Sequence, residues 1–298
     1  MISPHARRRL RVGWLDVLII AAVVAVAAYF VYRVDSVLHY TWNWTRVAQY
    51  LWRWDEERQR WVANLFIDGL LTTIRLSVWG ILLATVIGTF MGLCRISRRL
   101  LPRLVSRSYV ELIRNIPPLV FMFIFYFFIS GQIMPLLGLD AWVRQANPDS
   151  LAVVEVLFGK PRLLSNFVSG LICLAMFEGA YVTEIVRAGI QSIPRGQWEA
   201  AQSVGLSRLQ VMWDIILPQA FQRVIPPLAG QLITLIKTSS IVSLISVQEL
   251  TFLASEVSNT TGRSFESWII AAGMYFAICL ALALAFARLE QRLAQPQR

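Results

Sequence analysis

Two ionisable residues stand inside otherwise apolar runs of this 298-residue chain. Glu178 lies between Phe177 and Gly179, and Lys237, one of only two lysines, follows the run LITLI. A charge at that depth in a hydrocarbon layer is costly, so each side chain should face protein or water rather than lipid. Each has two interpretations. They could make structural hydrogen bonds or an ion pair, with each other as candidate partners, or they could line a solute path on which Glu178 holds an ammonium group.

The residue sets needed for covalent or metal catalysis are missing from the sequence. His5 and His39 are the only histidines, and the cysteines Cys94, Cys173 and Cys279 each stand alone in an apolar segment. Neither a paired-cysteine metal pattern nor a phosphate-binding GxxxxGK[ST] loop occurs. We therefore predict no catalytic residue, no metal and no cofactor in this chain, and an energy source elsewhere.

The composition is that of a membrane protein. Apolar residues make up 56% of the chain and charged residues 15%, with a mean hydropathy of +0.56. The apolar runs repeatedly reach the roughly 20 residues that a helix needs to cross a bilayer. The sequence therefore predicts an all-α, polytopic membrane helical bundle with six transmembrane helices, at about 15–33, 66–94, 109–134, 167–189, 219–243 and 268–287.

Arginines cluster on alternate links between these spans. They fill the N-terminal tail (Arg7, Arg8, Arg9, Arg11), the link after the second span (Arg95, Arg98, Arg99, Arg103, Arg107), the link after the fourth, and the C-terminal tail. Because positive charge is retained on the cytoplasmic side, both termini should be cytoplasmic. The basic residues behind the net charge of +10 lie at the ends of apolar runs, as orientation in a membrane requires, so we predict membrane lipid and no nucleic acid as a partner. The first run extends through Tyr32, which favours a retained helix over a cleaved signal peptide.

The predicted outer link, residues 34–65, is rich in tryptophan. Trp44, Val47, Leu51, Trp54 and Trp61 fall near one face of a helix. This pattern predicts a helix lying at the headgroup level, where indole rings are favoured. The alternative is a docking surface for a periplasmic partner.

Gly88 and Gly92 form a GxxxG pattern in the second span. Small residues one turn apart allow another helix to approach closely. We expect a tight helix–helix contact at this point.

The stretch EAAQSVGLSRLQVMWDIILPQA, residues 199–220, interrupts the apolar runs. Pro194 and Gly196 should end the preceding helix, and residues 198–204 should form a short one. Gly205 then supplies the left-handed conformation in which helices commonly end.

A second short helix should follow. Ser207 and Gln210 have the S-x-x-Q spacing of a capping box, and Leu209, Met212 and Ile216 would form its apolar face. The pair Leu217-Pro218 should end it. On spacing alone the segment is either an ordinary loop or, with its small residues Ala200 and Ala201, a helix that enters a groove on a partner.

This segment resembles the cytoplasmic EAA loop of ABC-importer membrane subunits. The matching residues are Glu199, Ala200, Ala201, Gly205, Ile215, Leu217 and Pro218. Three further stretches, ELIRNIPPLVFMFIFYF (111–127), AYVTEIVRAGIQSIPRGQWEAA (180–201) and LIKTSSIVSLISVQEL (235–250), resemble the polar amino-acid permease family. The resemblance covers roughly residues 66–290. It implies a type I importer permease core of five helices at 66–298, with the EAA loop at 195–220, preceded at 1–65 by an extra helix and the Trp-rich segment.

The resemblance implies partners as well as a fold. The chain would be half of a dimeric channel in the bacterial inner membrane, with a second permease subunit that is the same or a paralogous chain. Two cytoplasmic ATP-binding subunits would bind the ATP and receive the EAA helix, and a periplasmic substrate-binding protein would deliver a polar amino acid. This chain would then be no enzyme itself. The alternative is a gradient-driven secondary transporter or channel, for which such a loop has no clear use.

Overall fold

The computed structural model describes residues 13–37, 39–57 and 59–293. The tail residues His5, Arg7, Arg8, Arg9, Arg11 and Arg298 lie outside them. The chain divides into two compact units, Met1–Trp44 and Thr45–Arg298. By its contacts the segment 45–65 therefore belongs to the larger unit, whereas the sequence suggested a division after residue 65.

Six stretches within the described residues are long and apolar enough to cross a membrane, which confirms the predicted number. They cover Trp14–Val34, Leu65–Ile96, Pro118–Gln145, Pro161–Gln191, Arg208–Ile245 and Ser264–Leu289. The chain is an all-α polytopic bundle to which one small β-hairpin is added.

The smaller unit is dominated by helix α1, Trp14–Ser36. The Asp16 carboxylate accepts a hydrogen bond of 2.7 Å from the backbone N–H of Gly13 and so caps the first turn. The long apolar side chains of α1 are exposed, and the mean hydropathy of the span is 2.4. A helix that is apolar all round suits a lipid environment.

The Trp-rich link is not the single helix that the sequence predicted. Helix α2 covers only Trp44–Ala48, and strands β1, Trp52–Asp55, and β2, Arg60–Ala63, pair in antiparallel register. Trp54 lies opposite Trp61, with ring centroids 5.7 Å apart. Aromatic cross-strand pairs stabilise hairpins, and the Trp52/Trp54 alternation fits a strand at least as well as the wider spacing fits a helix.

Helices α3, Leu65–Ile96, and α9, Leu164–Gln191, pack along each other and form the centre of the larger unit. A Cβ added at Gly88 would lie 2.5 Å from Cβ of Val182, and one at Gly92 would lie 2.8 Å from Cγ1 of Val186. Real side chains cannot approach so closely, so only glycine permits this backbone separation. The close contact predicted from the GxxxG pattern is confirmed.

The third span begins later than predicted. Helix α4, Leu100–Asn115, is amphipathic and ends at Ile116, before two prolines. The residue preceding a proline disfavours the helical conformation, which explains the break. The apolar stretch then runs through α5, Pro118–Ile124, a π-helical turn at Phe125–Ser130, α6, Gly131–Leu137, and α7, Leu139–Gln145. The predicted start at 109 is therefore wrong.

The remaining elements complete the larger unit. They are α8, Pro148–Phe158; α10, Arg195–Ser203; α11, Arg208–Gln210; a π-helical stretch, Val211–Ile216; α12, Leu217–Thr238; a 3₁₀ stretch, Ser239–Ile245; α13, Leu250–Thr261; and α14, Ser264–Leu293. The helical run therefore continues through Leu217-Pro218 into the fifth span, and the predicted helix end there is wrong. Proline is tolerated because it stands in the first turn of α12, at the end of a π-helical stretch.

A buried carboxylate joins α3, α13 and α14. The Tyr275 hydroxyl donates to Oε2 of Glu249 over 2.6 Å, Thr73 donates to the same oxygen over 3.3 Å, and the N–H of Phe252 donates to Oε1 over 2.9 Å. Glu249 is fully buried, and this burial raises the pKa of its carboxyl group. These hydrogen bonds offset the cost of burying a polar group.

Candidate functional site

The EAA loop forms a helix, a sharp turn and a second helix. Gly205 adopts a left-handed conformation with φ of +78°, as predicted from its place after the first helix. Its N–H donates to the carbonyl of Gln202, and the N–H of Leu206 donates to that of Ala201. These bonds satisfy carbonyls at the end of α10, so the glycine sets the angle between the two helices.

The predicted capping box of the second helix is confirmed. Oε1 of Gln210 accepts from the N–H of Ser207 over 2.9 Å, and the Ser207 hydroxyl accepts from the N–H of Gln210 over 3.4 Å. Two other predictions for this segment are wrong. Gly196 lies inside α10, because the preceding helix already ends at Gln191, and Leu209 is exposed, because Val211 takes the buried position instead.

The first helix presents a polar and small-residue face. Glu199 and Ala200 are exposed on α10, and Gly205, which follows this helix in the chain, is exposed as well. Ala201 instead packs into an apolar cluster with Val211 and Ile216. In the second half of the motif Leu217 is half-buried and Pro218 is exposed. One side of α10 is thus anchored to the bundle, and the other is open to a partner.

Glu178 lies buried near the middle of α9, with 1% of its surface exposed. Nε2 of Gln231 on α12 donates a hydrogen bond to its carboxylate. The space beside Gly179 is filled by α3 and α4, because an added Cβ would lie 2.8 Å from the Tyr109 hydroxyl and 3.0 Å from Ile87. That hydroxyl donates to the carbonyl of Met176 over 2.6 Å. The small residue next to Glu178 therefore serves helix packing.

Lys237 does not pair with Glu178. Its side chain is exposed near the end of α12, and it makes no ion pair within the described part of the chain. Exposed positions on α12 include Pro227, Gly230 and Thr234, which share one helix face with Lys237. Because Lys237 carries a charge within a membrane span, the face that it shares with these residues should be turned toward protein or water.

The sequence missed a cavity of about 580 Å³ between α4, α9 and α12. It is lined by Arg114, Tyr181, Glu184, Ile185, Ala188, Gly189, Ser192, Arg223, Pro227 and Gln231. The Arg114 guanidinium lies 5.3 Å from the centre of the Tyr181 ring, a cation–π distance. Arg114 and Tyr181 stand in two of the quoted family-like stretches, but nothing in their spacing along the chain shows that they meet.

Gln231 connects this cavity to Glu178. Its side chain lines the cavity and also donates to the buried carboxylate behind it. Glu184 is held by Arg187 at 2.7 Å and by Arg95 at 3.1 Å. The cavity therefore offers an amide, an aromatic ring, a carboxylate and two arginines, Arg114 and Arg223, which are groups that could bind a small polar solute.

The helical bundle with its six apolar spans defines a multi-pass membrane protein. Residues 84–295 match the family described as binding-protein-dependent transport system inner membrane component, and the chain belongs to that family.

Relatives from bacteria support this membership. The chain is 34% identical to a probable glutamine ABC transporter permease protein of Bacillus subtilis, over 77% of this chain and 94% of the relative. It is 32% identical to a glutamate/aspartate import permease protein of Escherichia coli, over 76% of this chain and 93% of the relative. Among solved structures, an amino acid ABC transporter with histidines matches with a TM-score of 0.64 and 29% identity, over 85% of this chain and all of that one.

Proposed function

We propose that this chain is the permease subunit of an ATP-driven importer for a polar amino acid. The observation that carries the proposal is the EAA loop, in which Glu199 and Ala200 are exposed on a helix whose other side, at Ala201, is packed into the bundle. A helix fixed in this way passes a movement of the bound partner on to α9 and α12. The relatives are named as permeases for glutamine and for glutamate and aspartate, which supports a polar amino acid as the substrate.

The proposed assembly supplies what this chain lacks. Two cytoplasmic ATP-binding subunits bind the ATP and contact the exposed Glu199, Ala200 and Gly205, whereas Ala201 fixes α10 to the bundle. This chain has no ATPase site or cofactor of its own. A second permease subunit, the same chain or a paralogue, covers the exposed face of α12 that is formed by Pro227, Gly230, Thr234 and Lys237. A periplasmic binding protein delivers the amino acid. The complex lies in the bacterial inner membrane with both termini of this chain in the cytoplasm.

The substrate path runs along the cavity between α4, α9 and α12. Gln231 contacts the solute, and Glu178 orients the Gln231 amide through their hydrogen bond. Gln231 stands between the Glu178 carboxylate and the cavity. A direct contact of Glu178 with the substrate ammonium therefore stays a prediction. Lys237 adds positive charge to the exposed face of α12. This charge attracts the carboxylate of the amino-acid substrate.

Reconstitution tests the proposal directly. The chain is purified together with an ATP-binding subunit and a binding protein from the same organism, and placed in proteoliposomes. Uptake of labelled glutamine, glutamate or histidine should require ATP on the side of the ATP-binding subunits, and should persist when an ionophore removes ion gradients. Uptake by this chain alone that the ionophore abolishes would instead establish a gradient-driven transporter.

A further inference from the structure

A second cavity, of about 650 Å³, lies under the EAA loop, and five arginines line it. They are Arg95 and Arg98 at the end of α3, Arg103 on α4, Arg195 on α10 and Arg208 on α11. The other lining residues are apolar or uncharged, so no carboxylate stands among them. Four of these arginines are exposed, so water and salt screen part of their mutual repulsion, and a bound anion would neutralise the positive potential that remains.

The arginines have little compensation from the protein. Arg95 has one ion pair, with Glu184 outside the cavity, and its Nη1 atom is buried without a hydrogen-bond partner. Within the part of the chain that the structure describes, none of the other four guanidinium groups forms an ion pair. The guanidinium groups that line the cavity without an ion pair are donors for which a phosphate oxygen is a favoured acceptor.

The wall of the cavity is apolar where it meets the bundle. Ile96, Ile190, Ile193, Trp198 and Val211 line it between the arginines. A site lined by both guanidinium groups and apolar side chains suits a phosphate group that carries an apolar body. Basic pockets beside membrane helices bind anionic lipid head groups in the same way.

We propose that this cavity binds a phosphate-bearing anion, either the headgroup of an anionic phospholipid or a free phosphate compound. The bound anion bridges the end of α3 and the start of α4 to α10 and α11, so it holds the EAA helix against the bundle. The site rests on the proposed function only in that its arginines lie at the cytoplasmic membrane surface. Binding itself is a property of this chain alone.

The test uses the purified full-length chain in detergent. Binding of short-chain phosphatidylglycerol, short-chain phosphatidylcholine and inorganic phosphate is titrated separately by microscale thermophoresis. The variant Arg103→Gln/Arg208→Gln removes two exposed cavity arginines, and Arg99→Gln/Arg288→Gln removes two exposed arginines that do not line the cavity. Circular dichroism and gel filtration are used to check that both variants fold.

We expect phosphatidylglycerol to bind the wild type and the control variant alike. Loss of two charge-assisted contacts should weaken its binding to the cavity variant by about tenfold or more. Competition by inorganic phosphate identifies a site that also accepts free phosphate compounds, and binding without such competition identifies a lipid site.

Equal affinity of both variants, or equal binding of phosphatidylcholine and phosphatidylglycerol, would overturn the proposal. So would loss of the ATP-binding subunit from the cavity variant in lipid-free detergent, because the arginines would then serve that protein contact. If the cavity variant does not fold, the single variant Arg208→Gln is compared with Arg99→Gln instead. ATP-driven uptake is measured separately, so failure of the importer assignment leaves the binding result intact.

Discussion

Glu178 is a buried carboxyl group that contacts the cavity only through Gln231. Its carboxyl group accepts from Gln231, and this bond fixes the orientation of an amide that lines the cavity. Glu178→Gln keeps the volume but replaces the carboxyl acceptor by an amide oxygen and adds an NH2 donor that must find a partner. We expect normal expression and basal ATP hydrolysis, with the apparent substrate constant for uptake raised roughly 3- to 10-fold, since weakening or misdirecting one hydrogen bond costs about 1 kcal/mol.

The matched control is Glu256→Gln, which changes an exposed carboxylate on α13. Its uptake kinetics should equal those of the wild type. If Glu178→Gln also leaves the kinetics unchanged, Glu178 has no role in the substrate path, and loss of the folded complex would assign it a purely structural role.

Lys237 is exposed and makes no ion pair within the described residues, which favours its functional interpretation over its structural one. Lys237→Met should therefore leave the yield of folded protein unchanged and lower ATP-driven uptake several-fold. Lys160→Met is the control, because Lys160 makes a 3.0 Å ion pair with Asp68 and is the only other lysine. A reduced yield for Lys237→Met, measured by fluorescence-detected gel filtration, would contradict this assignment.

At the scale of elements, Gly205 should decide whether the EAA loop couples to its partner. A β-branched residue is strained at φ of +78°, whereas asparagine tolerates the left-handed region. No atom lies within 4 Å of a Cβ added there, so the effect of Gly205→Val comes from the backbone alone. We expect Gly205→Val to insert normally but to lose uptake or ATP coupling, and Gly205→Asn to retain most of both. Normal uptake by Gly205→Val would contradict the coupling role.

The contact of α3 with α9 gives a prediction for stability. Gly88→Ala places a Cβ 2.5 Å from Val182, so the helices must separate, and overpacking of this kind costs about 1–3 kcal/mol. Gly273→Ala is the control, since an added Cβ there meets nothing within 4 Å. The melting temperature in detergent should fall for Gly88→Ala only. Equal melting temperatures would show that α3 and α9 are not in such close contact.

The sequence predicted those elements whose signals are local. Six apolar runs, the left-handed Gly205 and the capping box of Ser207 and Gln210 each depend on residues within a few positions of each other. The sequence predicted a helix at the hairpin 52–63 because the spacing of the tryptophans fits the period of a helix as well as that of a strand. Only the pairing of Trp54 with Trp61 decides for the strand. The continuation of the helix through Pro218 could not be predicted, since a π-helical stretch leaves no clear pattern in the sequence.

The candidate site was predicted only in part, because most of its contacts join residues that are far apart in the chain. Glu178 and Lys237 stood out because a charge in an apolar run is unusual. Arg114 and Tyr181 did not, although they meet at the cavity, because their contact joins residues far apart in the chain. Gln231 is a polar residue of ordinary appearance, and only packing shows that it joins the cavity to Glu178.

For the whole molecule, the orientation in the membrane follows from charge and packing together. The arginines of the link after α3 and those of the EAA loop line one cavity, so both links lie at the same end of the larger unit. That agrees with an even number of spans between them, α5–α7 and α9. Since arginine-rich links stay in the cytoplasm, this end should be cytoplasmic, and the hairpin at 52–63 should be periplasmic.

Reporter fusions test this orientation. Alkaline phosphatase, which is active only in the periplasm, should be active when fused after residue 60 and silent when fused after residue 105. A cytoplasmic reporter such as green fluorescent protein should give the opposite pattern at the same two positions, which controls for fusion expression. Cleavage of the first run as a signal peptide would shorten the chain on a gel without changing the pattern. The reverse activities at the two positions would refute both the cytoplasmic EAA loop and the proposed contact with ATP-binding subunits, because α10 would then face the periplasm, where no ATP is supplied.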